Sequence, residues 1–206
     1  MEITSFLKDT LSLLAIVEPL GAIPIFLTLT TGYSKQKQSN VAKRATMAGF
    51  LILVSALVFG KWALSIMGIS LPSIRVAGGI MFVVMGLQLI MTESNKITED
   101  ESIEAQSHSD VAVVPLALPV LSGPGAMGAV ILLGSQGNQL IQIPKIGAII
   151  GIVMLVSYFC FKLAQPIGQK LGLTGLNILN RISGLIVLSI GVEFILAGVH
   201  QIWATL

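Results

Sequence analysis

The chain has 206 residues, of which 54% are hydrophobic and 11% charged, with a formal net charge of +2 and a mean hydropathy of +0.90. Soluble domains carry about 25% charged residues, and a globule of this size has too little interior to hide so much apolar surface, so a lipid bilayer is the solvent that fits. The small, dispersed charge argues against a nucleic-acid partner, and the single cysteine, Cys160, excludes an intrachain disulfide.

The N-terminus, Met1-Glu2-Ile3-Thr4-Ser5-Phe6-Leu7-Lys8-Asp9, lacks a basic head. No small-residue cleavage site follows, so the first apolar stretch is expected to stay as a membrane span. A helix needs about 20 apolar residues to cross the hydrocarbon core. Six stretches qualify, at 6–29, 46–67, 71–91, 111–133, 144–164 and 176–199. They are continuously apolar rather than alternating, which predicts helices and not a barrel. The expected fold is an all-α integral membrane protein of six transmembrane helices.

Span one contains Glu18-Pro19-Leu20-Gly21-Ala22-Ile23-Pro24, and span four contains Pro119-Val120-Leu121-Ser122-Gly123-Pro124-Gly125. Proline removes a backbone donor and clashes with the preceding turn. Two prolines with glycines between them exceed what one kink needs, so spans one and four are each read as interrupted. The proline pairs lie 100 residues apart. Spans three and six also match: Arg75, Gly78, Gly86 and Gln88 align with Arg181, Gly184, Gly191 and Glu193 if one single-residue gap is allowed. Spans one to three therefore resemble spans four to six. Three is an odd number, so the second copy enters the membrane upside down, and the architecture expected is a pair of inverted three-helix repeats. The organisation is a first repeat at 1–91, an acidic linker at 92–110 and a second repeat at 111–206.

Lys35, Lys37, Lys43, Arg44, Lys96, Lys162 and Lys170 fall on one side of this arrangement, and Lys8, Lys61, Arg75 and Lys145 on the other. The richer side is cytoplasmic by the positive-inside rule, which places both termini outside the cytoplasm.

A broken helix exposes a new N-terminus with unpaired N–H groups and the positive end of the dipole, a good partner for a carboxylate. Glu18, Pro19, Leu20, Gly21, Pro119, Ser122, Gly123, Pro124 and Gly125 are the candidate substrate-binding residues. The implied ligand is a small zwitterion such as glycine, alanine or serine, with exposed carbonyls available to its ammonium group or to a cation. The competing reading of the glycines is close helix packing. Charges at membrane depth are costly and usually paired or functional. Glu18 and Glu193 are the candidates for ion or proton coupling, and Glu18 could equally cap a helix starting at Pro19. Arg75 and Arg181 read as interfacial anchors or as ion-pair partners of those acids. No catalytic set, nucleotide loop or metal-ligand spacing is visible. An enzyme is not expected, nor any metal or cofactor beyond a coupling cation, H+ or Na+.

Glu18-Pro19-Leu20-Gly21-Ala22-Ile23-Pro24-Ile25-Phe26 resembles the Asn/Asp-Pro-x-Gly-x-x-Pro-x-Phe signature of the MarC family. The run from Val114 to Gly125 resembles that family's second signature, and Arg75-Val76-Ala77-Gly78-Gly79-Ile80 and Asn180-Arg181-Ile182-Ser183-Gly184-Leu185-Ile186 resemble its third and sixth spans. The resemblance implies a six-span protein of the bacterial or archaeal inner membrane. In its SnatA-type members it implies symport of neutral amino acids with a cation. Glu18 departs from the pattern, which more often has Asn or Asp there. The readings to be weighed are a secondary transporter of small neutral amino acids, a passive channel or facilitator, an exporter of another solute, and a non-transporting scaffold. A chain this small is compatible with a homo-oligomer.

Overall fold

The computed structural model describes residues 2–91, 116–117 and 121–203. The expected linker at 92–110 and the expected site residue Pro119 lie outside the described residues. Seven helices make up the described part: α1 (Glu2–Val17), α2 (Ile23–Leu29), α3 (Lys35–Ile66), α4 (Leu71–Met91), α5 (Pro124–Gly134), α6 (Gln139–Lys162) and α7 (Ala164–Trp203). Local chemistry sets several boundaries. The side chains of Ser34 and Asn138 accept hydrogen bonds from the N–H groups of Lys37 and Leu140, capping α3 and α6. Gly172 (φ 60°, ψ −178°) interrupts α7 near its start, a conformation that its missing Cβ permits.

Among the described residues, four helices are long and apolar enough to cross a membrane: Lys35–Ile66, Leu71–Met91, Leu140–Lys162 and Arg181–Trp203. They correspond to the second, third, fifth and sixth expected spans. The first expected span is instead two helices, α1 and α2, parted at 18–22. The fourth is described only from 116–117 and 121 onward, where α5 forms an 11-residue apolar helix.

Packing is built on antiparallel pairs. Between α3 and α6, Phe50 lies over Gly151 and Gly49 meets Met154. Lys145 at the start of α6 bonds Ser5 and Asp9 of α1, the latter at 2.7 Å. The N-terminus therefore lies at the opposite end of the molecule from the start of α3 and the end of α6. The Asp9–Lys145 pair is about a fifth exposed on each side and contributes no more than about 1 kcal/mol. Phe26 of α2 stacks on Phe161 of α6 at 4.8 Å, and a buried apolar cluster including Leu13, Leu53, Leu121, Ile149 and Val153 fills the centre.

The tightest contact is between α4 and the long arm of α7. A Cβ built on Gly79 would lie 2.7 Å from the Gly191 carbonyl, and one on Gly191 would lie 2.7 Å from the Gly79 carbonyl. Gly86 and Gly184 face each other in the same way, at 2.6 and 2.8 Å. Backbones this close gain dispersion and Cα–H···O contacts that a bulkier residue would forbid. The contact is reciprocal: Gly184 follows Gly79 by 105 residues, and Gly191 follows Gly86 by the same number. At that offset, residues 77–91 and 182–196 have the same burial class at all fifteen positions, with Gly79, Phe82 and Gly86 buried against Gly184, Val187 and Gly191.

Candidate functional site

The break in the first span starts at Glu18. Its N–H still bonds the Leu14 carbonyl at 2.9 Å, but its φ of 50° puts it in the left-handed region, alone among the described non-glycine residues, and α1 stops. Pro19 has no N–H to continue the ladder. The chain turns through 19–22, closed by weak bonds from Ala22 N–H to the Glu18 carbonyl (3.3 Å) and from Ile23 N–H to the Leu20 carbonyl (3.2 Å). Helix α2 restarts at Ile23, with Pro24 in its first turn, where a missing N–H costs nothing. Pro19 therefore sits in a turn, and α2 begins four residues later, so Glu18 does not cap a helix starting at Pro19.

The Glu18 side chain folds back over this turn. A Cβ on Gly21 would lie 2.7 Å from Oε1 and 2.9 Å from Cδ, so the absence of a side chain at Gly21 makes room for the carboxyl. Ser183 of α7 lies near the carboxyl. Oε1 itself is buried and has no hydrogen-bond partner among the described residues; the only other such side-chain atom is Oδ1 of Asn177, also on α7. Both are acceptors lacking a donor. A buried carboxylate oxygen without a donor is expensive, which marks Glu18 Oε1 as a place where a proton, an ammonium group or a metal cation would be stabilised.

The second break is better satisfied internally. Ser122 is fully buried, and its N–H and hydroxyl both donate to the Ala117 carbonyl, at 3.0 and 2.7 Å. Gly123 is the N-cap of α5 with extended backbone and no side-chain cap, and Pro124 follows at the first helical position. The first-turn N–H groups that follow lack intrahelical acceptors. The space over Gly125 is taken by the Phe82 ring of α4, so that glycine serves ring packing.

The structure thus brings Glu18, Gly21 and Ser183 together. Helix α1 packs on α5, but among the described residues no hydrogen bond joins the two breaks. Leu20 is 38% exposed. Glu193 is on the outward face of α7, ten residues or about 15 Å along the helix from Ser183. Half-buried Arg75 makes a long contact of 3.5 Å with Gln201, and Arg181 is exposed. Among the described residues neither arginine forms an ion pair with Glu18 or Glu193, and no group of three or more His, Cys, Asp or Glu could hold a metal. Ser183 was not singled out from the sequence as a site residue. Its signal was a small polar residue beside Gly184, whose orientation only the fold reveals.

The helices and this polar break define an all-helical, multi-pass integral membrane protein with a half-buried carboxyl where its first span divides. The chain belongs to the MarC family of integral membrane proteins, whose family model matches residues 3–203. It is similar to a UPF0056 membrane protein of Buchnera aphidicola, with 34% identity covering 98% of this chain and 95% of the relative. It is likewise similar to one of Methanocaldococcus jannaschii (31%; 97% and 98%) and to YhcE of Escherichia coli (32%; 96% and 93%). No solved structure matches the chain.

Proposed function

We propose that this protein is a secondary transporter of small neutral amino acids, of the size of glycine, alanine or serine, coupled to H+ or Na+. The carrying observation is the Glu18 carboxyl, held over Gly21 within an interrupted span with one oxygen buried and unpartnered. Such an oxygen suits a group that arrives and leaves, a proton or cation on Glu18 or the ammonium of the substrate. The N–H groups at the start of α5 suit the substrate carboxylate.

We further propose that the two halves are inverted repeats that rock about the breaks to give alternating access, in the plasma membrane with both termini outside. The reciprocal Gly79–Gly191 and Gly86–Gly184 contacts support this reading, because a two-fold axis maps one contact onto the other. So does the packing of each third span on the second segment of the other half's broken span, α4 on α5 and α7 on α2. The register differs by one residue from the motif alignment: Gly79, not Gly78, pairs with Gly184 in the repeat, and Arg75 and Arg181 fall one position out of step.

Glu18→Gln tests the coupling role. An amide keeps the shape but cannot exchange a proton and binds cations weakly, so gradient-driven accumulation in proteoliposomes should fall at least tenfold while counterflow exchange persists. Full gradient-driven accumulation by Glu18→Gln would remove Glu18 from coupling.

A further inference from the structure

We infer that the groove between α3 and α6 is a binding site for an anionic phospholipid. The groove has a volume of about 410 Å³, within the range of ordinary ligand sites, and lies far along the chain from the Glu18 break. Its walls are apolar, formed by Met47, Phe50 and Leu155, and Met47 and Leu155 are 53% and 56% exposed toward the surroundings of the bundle. Its floor is open at Gly151, where an added Cβ would meet nothing nearer than Phe50 Cε2 at 3.9 Å. An acyl chain fits such a surface.

One end of the groove is polar, and its chemistry is one-sided. Lys43, Thr46 and Tyr158 line it. The Thr46 hydroxyl is spent on the Ala42 carbonyl at 2.9 Å. The exposed Lys43 ammonium and the Tyr158 hydroxyl make no hydrogen bond among the described residues. A second cation stands by, with Lys162 Nζ 5.9 Å from the Tyr158 ring centroid. Lys43 and the Tyr158 phenol line the same end, and Lys162 adds positive charge beside the Tyr158 ring, which calls for an anion rich in acceptors.

Depth fits a phosphate headgroup. Lys43 is 23 residues from the α3 terminus at Ile66, about 35 Å along a helix, against a hydrocarbon core of about 30 Å. The cationic end therefore emerges at the membrane surface while the apolar walls lie below it. Tyr158 is one turn from the end of α6, at the level where interfacial tyrosines sit. Basic pockets between transmembrane helices take anionic headgroups for these reasons.

The test is native mass spectrometry of the full-length, delipidated protein in mild detergent. It is incubated with an equimolar mixture of phosphatidylglycerol and phosphatidylcholine bearing identical acyl chains. The native protein should retain phosphatidylglycerol in excess, and Lys43→Gln should cut the ratio about fivefold, the worth of one lysine near an anionic headgroup. Tyr158→Phe should cut it less, and Lys61→Gln at the opposite end should leave it unchanged. Gly151→Leu, which fills the floor, should reduce retention of both lipids. Equal retention of the two lipids by the native protein, or an unchanged ratio in Lys43→Gln, would overturn the site. Displacement of the lipid by inorganic phosphate would overturn the acyl-chain part and leave a phosphate subsite.

Discussion

Glu18 occupies a conformation that few residues adopt without cost. A left-handed φ strains most L-residues by about 1–2 kcal/mol, and Asn and Asp are the usual exceptions. Its φ of 50° is one that Asn or Asp would hold with less strain. Glu18→Asn should therefore raise thermal stability by roughly 1 kcal/mol while weakening gradient coupling, measured as a higher Tm in detergent together with reduced accumulation in liposomes. A lower Tm would show that the longer side chain holds the turn together. Part of this site was legible in the sequence: an acid beside a Pro/Gly break stood out by residue type alone. Ser183 was not, because a helical sequence gives its depth along the axis but not the neighbour it faces across 165 residues of chain. Gly125 illustrates the same limit, since nothing in its motif distinguishes room for a ligand from room for the Phe82 ring.

At the scale of elements, the α4–α7 seam makes a sharp distinction between two adjacent glycines. An added Cβ at Gly78 meets nothing within 4 Å, whereas at Gly79 it meets the Gly191 carbonyl at 2.7 Å. Gly78→Ala should be neutral or stabilising by up to about 1 kcal/mol through helix propensity. Gly79→Ala should cost about 1–3 kcal/mol, because two backbones must separate. Thermal unfolding of both variants in the same detergent checks this, and equal effects would mean that the two helices do not pack at this register. Motif alignment matched Gly78 to Gly184 because it anchored on Arg75 and Arg181. The shared burial pattern over 77–91 and 182–196 favours aligning Gly79 with Gly184 instead. Hydropathy likewise revealed the four long spans, since length and composition suffice for that. The exact ends of the first break, at 18 and 22, depended on a backbone dihedral that residue identities alone leave open.

At the scale of the molecule, two broken spans, a reciprocal glycine seam and an unpartnered carboxyl fit a machine with two alternately open faces. Its halves meet chiefly through α4 on α7, α3 on α5 and α6, and α1 on α6. These contacts cross between the halves, so the proposed rocking would have to slide them. The decisive measurement is uptake of radiolabelled glycine and alanine into liposomes containing the purified protein, with and without imposed proton or sodium gradients. Coupled transport requires accumulation that collapses when the effective gradient is dissipated. Equilibration without accumulation would contradict coupling, and no flux of either amino acid through folded protein would contradict the substrate class.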